Sequence, residues 1–271
     1  MVQSKLPLPK VEQLSLQVLR ERHVKQGKPL TRALEEALRA DKRPGAAAIL
    51  RAVERRRQQN RAEGQRLRRM TRFERELWEQ GVDLVAGVDE AGMSPLAGPV
   101  VAAAVVMHPG QRWVGVDDSK KLSAQQRTEL LRVIRAEAQG VGVGIVEPGE
   151  IDEINIYHAG LLAMRRAVED LPARPQHLLI DARTLADLSI TQDGIVKGDQ
   201  KSLSIAAASI VAKTTRDALM VELDEQYPGY GFAKHKGYPV KAHVEALRRL
   251  GPTPQHRFSF TPVREVCPDR P

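Results

Sequence analysis

The sequence predicts an α/β fold with a mixed central β-sheet flanked by helices, preceded by a helical N-terminal extension. Short β-branched runs begin at residue 84 and then alternate with helical segments, as expected of a sheet with helices on its faces. Before that point, apolar residues recur at helical spacing instead. We therefore expect a basic helical extension over residues 1–80 and an α/β domain over residues 81–271, whose C-terminal helical and loop segment starts at about 227.

The extension is expected to hold three helices. The first ends at Gly27, and the second is capped by Thr31 and stops before Pro44. The third begins after Gly45 and runs through an arginine-rich stretch, with Gly64 as a weak point.

The basic charge of the chain lies in this extension. Residues 1–80 carry 20 Lys and Arg against 10 Asp and Glu, a net charge of +10, whereas the remaining residues carry 22 against 24, a net charge of −2. Clustered guanidinium groups suit a nucleic acid backbone, because their binding releases counterions. A solvated helix face is the alternative explanation of the same arginines.

In the α/β domain, strands are expected at residues 84–88, 99–107, 140–148, 177–182 and 193–199, and helices at 123–138, 156–171 and 204–226. The run GVGVG at residues 140–144 is interpreted as strand, because it lacks the strand-turn-helix context and the following acid of a dinucleotide site. The tail after residue 226 is expected to hold one amphipathic helix between loops rich in Gly, Pro, His and aromatic residues.

Composition narrows the class of protein. Cys267 is the single cysteine, so no disulfide can form within one chain, which fits a reducing compartment. No apolar run approaches the roughly 18 residues that cross a membrane, and the N-terminus lacks the apolar segment of a signal peptide. Neither an HExxH motif nor a Cys–His set is present, which argues against zinc. We expect a soluble, cytoplasmic protein.

Four acidic residues stand where apolar strand-like runs end: Asp89, Glu90, Asp181 and Asp199. Any one of them alone is explained as the end of a strand or the cap of the next segment. Together they indicate a shared site, because the strand ends of one sheet converge and carboxylates at close range repel unless cations neutralise them. Mg²⁺ or Mn²⁺ is expected here, since these hard ions prefer oxygen ligands.

The adjacent pair Asp89 and Glu90 adds a geometric condition. Successive side chains of a regular strand point to opposite faces of the sheet. If both carboxylates bind one metal, we expect the strand to end or bend at this pair, with Gly92 supplying the backbone freedom.

Seven segments, in this order, resemble bacterial ribonuclease HII, the type 2 ribonuclease H: DEAGMSPLAGPVVAAAVV, DDSKKLS, EIDEINIYHAGLLAMRRAV, LLIDA, KGDQKSLSIAAASIVAKTTRD, GYGFAKHKGYP and GPTPQHRFSF. The match runs from about residue 84 to 263 and leaves the extension outside it. The resemblance implies an RNase H-like fold. It also places the family's catalytic, metal-binding carboxylates on Asp89, Glu90, Asp181 and Asp199.

The resemblance further implies an activity. It is endonucleolytic hydrolysis of the RNA strand of RNA·DNA hybrids, with incision 5′ of ribonucleotides embedded in duplex DNA, leaving a 3′-hydroxyl and a 5′-phosphate. Two metal ions, Mg²⁺ or Mn²⁺, would activate the attacking water and stabilise the leaving oxygen. The expected partner is nucleic acid and not a membrane, and the chain is expected to act as a monomer.

Tyr238 corresponds in this resemblance to the tyrosine that packs on the sugar following the ribonucleotide. A ring beside the ribose is a reasonable sensor of the 2′-hydroxyl; a partly buried loop aromatic is the alternative. His235, His256 and Arg257 lie in nearby loops, where phosphate contact and a purely structural role both stay open.

Further candidates for contact with the substrate backbone are Ser119, Lys120 and Lys121 before a predicted helix, and Ser209 and Lys213 within another. Hydroxyl, ammonium and free backbone N–H groups at a helix start suit phosphate, although a helix cap with solvated lysines is the alternative. Asp217 lies four residues beyond Lys213 and is predicted to pair with it structurally and not to bind metal.

The segment after the acidic pair departs from the family. Where the family typically has Gly-Arg-Gly, which reads the 2′-hydroxyl and phosphate of the junction, this chain has Gly92, Met93 and Ser94. The arginine's charge and paired donors are lost, and any left-handed conformation at Ser94 would be costly. Either backbone N–H groups suffice, or another basic residue compensates, or recognition of single ribonucleotides is weakened.

Two other classes of protein compete with a ribonuclease H. One is a nucleic-acid-binding protein of the same fold with weakened catalysis, which the four retained carboxylates argue against. The other is a metal nuclease of the resolvase or transposase type, against which the HKGYP and HRFSF segments count.

Overall fold

The computed structural model describes residues 15–266, so Cys267 and the predicted helical positions Val11 and Leu14 lie outside the described residues. The chain divides into two compact units, one ending at Arg66 and one starting at Leu67. This division falls within a long helix, whereas the sequence places the domain boundary at residue 80.

The first unit is helical, as the apolar spacing predicts. It holds α1 (Leu16–Leu19), which continues as a π-helical turn over Arg20–Lys25, then α2 (Arg32–Ala40) and the first part of α3 (Pro44–Met70). The Thr31 hydroxyl accepts a hydrogen bond from the Leu34 N–H at 3.3 Å, which confirms the predicted cap. Their apolar faces bury a small core of Leu19, Leu30, Leu38, Ala46, Ile49 and Val53.

The second unit contains a five-stranded mixed sheet, as predicted. Its strands are β1 (Val85–Ala91), β2 (Val100–Val106), β3 (Gly140–Val146), β4 (His177–Asp181) and β5 (Thr191–Ile195). Their order across the sheet is β3-β2-β1-β4-β5. The pairs β1–β2 and β2–β3 are antiparallel, while β1–β4 and β4–β5 are parallel. The carboxyl ends of β1 and β4 therefore lie side by side.

Helices cover both faces of this sheet. The described helices of the unit that follow α3 are α4 (Arg72–Glu79), α5 (Ala124–Glu137), α6 (Pro148–Glu169), α7 (Leu203–Gln226), α8 (Phe232–His235), α9 (Lys241–Leu250) and α10 (Thr261–Arg264). On β2, Ala102 packs with the α6 cluster and Ala103 with the α7 cluster. Every residue of β2 is buried because both of its faces are covered, and this explains a strand without polar alternation.

Two glycines allow the helices to touch the sheet backbone. A Cβ atom on Gly87 of β1 would lie 2.1 Å from the carbonyl carbon of Ser204 in α7. A Cβ atom on Gly144 of β3 would lie 2.0 Å from the carbonyl oxygen of Ala163 in α6. The GVGVG run is thus a strand, as predicted, and its glycine at position 144 serves helix packing.

Helix α4 belongs to the second unit through a buried carboxylate. Glu74 is fully buried and accepts hydrogen bonds from the Ser202 hydroxyl at 2.6 Å and from the Ser204 N–H and hydroxyl at 2.9 and 2.8 Å. These groups lie at the start of α7, where a helix leaves its N–H groups without internal partners. Burial raises the pKa of Glu74, and the hydrogen bonds oppose that rise.

Among the predicted elements, the start of α6 and the end of β5 differ most from the expected bounds. The helix expected from residue 156 starts at Pro148 and contains a non-helical residue, Asn155, whose side chain accepts from the N–H groups of Tyr157 and His158. Strand β5, expected to reach residue 199, ends at Ile195. A 3₁₀ turn over Gly198–Gln200 follows it, because the backbone turns through a left-handed conformation at Lys197.

Candidate active site

The acidic site forms at the carboxyl ends of β1 and β4. Val88 pairs with Ile180 across these parallel strands, so Asp89 and Asp181 each follow the last paired residue. The strand expected at residues 84–88 continues through the acidic pair to Ala91, because β2 still pairs with it beyond the point where β4 stops. The chain turns one residue later, at Gly92, where φ is +96°.

The continued strand sends the two acidic side chains to opposite sides of the sheet. Asp89 is buried on the α7 side, where the Ser209 hydroxyl interacts with its carboxylate and the Glu90 N–H donates to it at 2.8 Å. Glu90 instead faces Arg183, with 3.8 Å between Oε1 and the guanidinium nitrogen. Both carboxylates still sense the charge of Asp181, so the site lies at the sheet edge where the two sides meet.

The 3₁₀ turn brings the fourth acid to this edge. The Gly198 N–H donates to Asp181 Oδ1 at 2.6 Å, which ties the turn to the end of β4. The next residue, Asp199, is buried there, and the charge of Asp181 helps to raise its pKa. The four predicted acids are therefore neighbours, although Asp199 reaches the site from a turn and not from a strand end.

Charge repulsion and burial make this cluster costly when it is ionised. Burial, with the charges of Glu90 and Asp181 added to it, raises the pKa of Asp89 well above its usual value. Burial also raises the pKa of Glu90, and the charge of the nearby Arg183 lowers it. The pKa of Asp199 is raised by burial and by the charges of Asp118 and Asp181. Such a cluster gains stability from a cation.

The donor chemistry fits a hard divalent cation. All four side chains offer carboxylate oxygens, and Glu90 Oε2 is buried without a hydrogen-bond partner. Over residues 15–266, however, no three His, Cys, Asp or Glu side chains already stand in the arrangement of a formed metal site. The residues therefore fit the ion in type, and binding would require their side chains to draw closer.

Asp118 is a buried acid at the site that sequence reasoning missed. It caps the 3₁₀ turn Ser119–Lys121 by accepting from the Lys120 N–H at 2.9 Å, and it accepts from Gln200 Nε2 at 3.3 Å. Its charge raises the pKa of Asp199. The signal in the sequence was an acid directly before a serine and two lysines, which is a common capping pattern.

The predicted phosphate ligands of this turn separate into two groups. Ser119 is buried, and its hydroxyl lies 3.0 Å from that of Ser209, so the two hydroxyls form a chain toward Asp89. Lys120 is exposed, and its charge lowers the pKa of both Glu90 and Asp199. Lys121 is exposed too, but its ammonium pairs with Asp117 Oδ1 at 3.0 Å, so Lys120 is the lysine of this set whose charge acts on the acids.

Lys213, which is partly buried, and the exposed Tyr238 form a second group. Lys213 donates to Asp217 Oδ1 at 2.7 Å, which confirms the predicted structural pair. Its ammonium also lies 5.8 Å from the centre of the Tyr238 ring, and Tyr238 as a residue is 38% exposed. The tyrosine therefore stands at the surface with a cation beside it.

Two buried arginines fix the segment that holds Gly92, Met93 and Ser94. Arg257 donates to the carbonyls of Gly92 at 2.7 Å, Gly98 at 2.8 Å and Met93 at 3.3 Å. Arg216 donates to the carbonyls of Pro99, Ala97 and Lys236. Burial lowers the pKa of Arg257 to about 9 and that of Arg216 to about 10.

This buried network decides between the roles left open for the C-terminal loops. Arg257 and His256 are both fully buried, so neither presents a side chain to a phosphate. His256 Nδ1 accepts from the Thr253 N–H, and its Nε2 lies 3.2 Å from His243 Nε2. His235 is ring-stacked on His243. Residue type and loop position left phosphate contact and a structural role open, and in the structure polar atoms of all three residues bond to backbone groups.

The anticipated backbone cost at Ser94 does not arise. The described non-glycine residues with positive φ are Asn155, Ala182, Lys197 and Lys236, so Ser94 adopts an ordinary conformation. Ser94 is exposed, and Met93 is partly buried against the α6 side of the core. Arg257 holds the carbonyls of Gly92 and Met93. The N–H groups of Met93 and Ser94, which follow these carbonyls, have no backbone acceptor among the described residues.

Comparisons with known proteins agree with this architecture. Residues 86–263 match the profile of the ribonuclease HII family, and residues 21–78 match that of the ribonuclease HII N-terminal domain. Ribonuclease HII of Myxococcus xanthus is 60% identical over 260 residues, covering 94% of this chain and 89% of its own length. Ribonuclease HII of an Anaeromyxobacter strain is 54% identical, covering 93% and 80%. The crystal structure of ribonuclease H2 from Pyrococcus horikoshii superposes with a TM-score of 0.59 at 29% identity, covering 67% of this chain and 96% of that one.

A mixed sheet with acids converging at one edge, and a fold shared with ribonuclease H2, define an endoribonuclease of the RNase H-like class. Within that class, the chain belongs to the ribonuclease HII family. Proteins of this class depend on divalent metal ions. No helix among the described residues has the length and apolarity to span a bilayer.

Proposed function

We propose that the protein hydrolyses the RNA strand of RNA·DNA hybrids and incises 5′ of single ribonucleotides in duplex DNA, leaving a 3′-hydroxyl and a 5′-phosphate. The observation that carries this proposal is the convergence of four buried or partly buried carboxylates at one sheet edge, where burial raises the pKa of Asp89, Glu90 and Asp199. A protein that only bound nucleic acid would gain nothing from clustered negative charge beside a phosphate backbone.

Asp89, Glu90, Asp181 and Asp199 would hold the metal, Mg²⁺ or Mn²⁺, as a pair of ions. When bound, such a pair supplies an activated water nucleophile and charge stabilisation for the leaving oxygen. Other groups of the protein orient these carboxylates. The Gly198 N–H orients Asp181, and the hydroxyls of Ser209 and Ser119 orient Asp89.

Substrate contact is assigned to the exposed groups around the acids. Lys120 stands beside Glu90 and Asp199 and is suited to a backbone phosphate. Tyr238, with Lys213 beside it, is suited to stack on a sugar at the junction. The N–H groups of Met93 and Ser94 are turned away from Arg257 and are suited to accepting groups of the ribonucleotide.

A second candidate is a ribonuclease H with altered junction preference, which the substitution at Met93 favours. Its test compares cleavage of a duplex carrying one ribonucleotide with cleavage of a long hybrid, in the natural protein and in a Met93→Arg/Ser94→Gly variant. Equal relative rates in the two proteins eliminate this candidate. A ratio that shifts toward the single ribonucleotide in the variant supports it.

The decisive experiment for the proposed activity uses the full chain and end-labelled duplex DNA with one ribonucleotide. Incision 5′ of that ribonucleotide is expected with Mg²⁺ or Mn²⁺ and not with chelator. The Asp89→Asn protein is expected to retain its fold and lose incision. Near-normal metal-dependent incision by that variant sinks the assignment of the site, and no incision by the natural protein sinks the function.

The proposal also concerns cellular location and oligomeric state. Because the substrate is the cell's own nucleic acid, we propose a cytoplasmic location. The described acids, Lys120 and Tyr238 all come from one chain, so a monomer is sufficient for the proposed chemistry.

A further inference from the structure

Arg183 is a guanidinium group at the acidic site that none of the roles above uses. It follows Asp181 by two residues, after Ala182 has turned the chain with a φ of +54°. Its Nη2 atom lies 3.8 Å from Glu90 Oε1, and its side chain is 22% exposed. It therefore reaches the rim of the acidic cluster from the end of β4.

An aromatic ring holds the Arg183 guanidinium in place. The carbon at the centre of that group lies 5.1 Å from the centre of the Tyr157 ring. Tyr157 is 55% exposed and follows the break in α6, where the Asn155 side chain accepts from its N–H group. Stacking on an aromatic face orients a guanidinium without consuming its N–H donors.

The donors of Arg183 are largely unused. Its Nη1 atom is buried without a hydrogen-bond partner, and its 3.8 Å approach to Glu90 is longer than a hydrogen bond. Arg216 and Arg257 differ, because several backbone carbonyls accept from each of them. A buried donor without a partner costs free energy. The Arg183 guanidinium therefore has donor capacity left for a further acceptor.

Arg183 also lies against Met93. A Cβ atom built on Gly160 would meet Arg183 Nη1 at 3.0 Å and Met93 Cε and Sδ at 3.0 and 3.1 Å, so both side chains converge over this glycine of α6. The two residues are 90 positions apart in the chain, yet the guanidinium occupies the space beside the uncharged Met93.

We propose that Arg183 is a substrate-binding residue that contacts a backbone phosphate of the nucleic acid strand at the acidic site, and that it supplies the positive charge beside Met93. The proposal rests on the nuclease function proposed above. A phosphodiester offers two anionic oxygens, which match the paired donors of a guanidinium. The phosphate would meet the part of the Arg183 side chain that is exposed, and the Tyr157 ring keeps the guanidinium oriented toward it.

The first test measures equilibrium binding in chelator, so that no cleavage occurs. The ligand is a fluorescein-labelled DNA duplex with one ribonucleotide, and the readout is anisotropy. Arg183→Met keeps a long apolar side chain against Tyr157 and is expected to weaken binding about tenfold, the size of one lost charge-assisted contact. The matched control is Arg165→Met, which removes an exposed arginine of α6 that pairs with Glu169 and is expected to change affinity less than twofold.

The second test locates the phosphate. Duplexes that carry one neutral methylphosphonate at each position flanking the ribonucleotide are compared with the unmodified duplex. At one position the natural protein is expected to lose about tenfold in affinity while Arg183→Met loses nothing further, because the two changes remove the same contact. Additive losses at every position overturn the proposal.

A positioning role for Arg183 toward Glu90 predicts a different result. In that case Arg183→Met binds the duplex as the natural protein does, lowers kcat with KM unchanged, and shifts the Mg²⁺ concentration needed for half-maximal incision. That outcome also overturns the proposal. Failure of the natural protein to incise at all would instead refute the proposed function, and thermal unfolding of each variant verifies that it is folded.

Discussion

Asp89→Asn is expected to remove activity and to make the protein more stable, because the carboxylate it replaces is ionised at a cost. Asp89 is buried beside Glu90 and Asp181, and burial and these charges raise its pKa. An asparagine keeps an oxygen for the Glu90 N–H, which donates at 2.8 Å, and an amide that can donate to the Ser209 hydroxyl. The hydrogen bonds therefore survive while the repulsion is removed.

The gain is on the order of 1–2 kcal/mol, which is usual when a functional residue is replaced by an unstrained isostere. For a domain of this size it corresponds to a rise in Tm of about 2–8 °C. A group whose pKa is raised by folding contributes stability that is fully present below its unfolded pKa, about 3.9 for Asp, and that is lost as the pH rises through the folded value. The difference in Tm between variant and natural protein is therefore expected to be small near pH 4 and to grow toward pH 8.

Differential scanning fluorimetry in chelator, over that pH range, measures this difference. Asp187→Asn, which replaces an exposed carboxylate, is the control and is expected to show no pH-dependent difference. Added Mg²⁺ is expected to raise the Tm of the natural protein more than that of Asp89→Asn. A Tm at pH 8 that is equal to or below that of the natural protein would refute the reasoning.

Three further predictions concern packing, recognition and acid sensitivity. Gly87→Ala places a Cβ atom 2.1 Å from the Ser204 backbone and is expected to destabilise the protein by about 3 kcal/mol or more. Gly64→Ala meets open space on α3 and is expected to stabilise the protein by up to about 1 kcal/mol. Unfolding midpoints in urea that are equal for the two variants would contradict both expectations. Tyr238→Ala is expected to lower incision more than duplex affinity, and equal losses count against its proposed role. Burial lowers the pKa of His256 to about 4, so stability is expected to fall by up to about 3 kcal/mol as the pH drops from about 6.5 to about 4; an unchanged slope of Tm against pH in a His256→Gln variant would exclude this source.

The strands and acids were predictable because each leaves a local signal. Apolar runs mark β1 and β4, and an acid after each run marks the sheet edge. The same logic misjudged how β1 ends, since the pairing of Glu90 and Ala91 with β2 depends on partners 12 and 10 residues further along the chain. Asp199 was found through its strand, although a left-handed residue and a 3₁₀ turn deliver it.

Residues whose function depends on distant backbone were not predictable. For Arg257 the sequence left phosphate contact and a structural role open, and its donors bond to carbonyls more than 150 residues earlier in the chain. Asp118 looks like a helix cap, and only its place beside Asp199 shows a further role. The meeting of Arg183 with Met93 over Gly160 joins three separate segments. No local pattern in a sequence encodes such meetings.

The anchoring of α4 by Glu74 bears on how the N-terminal extension can be studied by deletion. A truncation designed at residue 80, where composition changes, would remove Glu74 and leave the buried hydroxyls of Ser202 and Ser204 without their acceptor. Lost activity in such a fragment could then result from damage at the N-terminus of α7 as much as from the loss of the basic helices. A cut before Leu67, where the compact units divide, keeps this anchor and isolates the contribution of the extension itself.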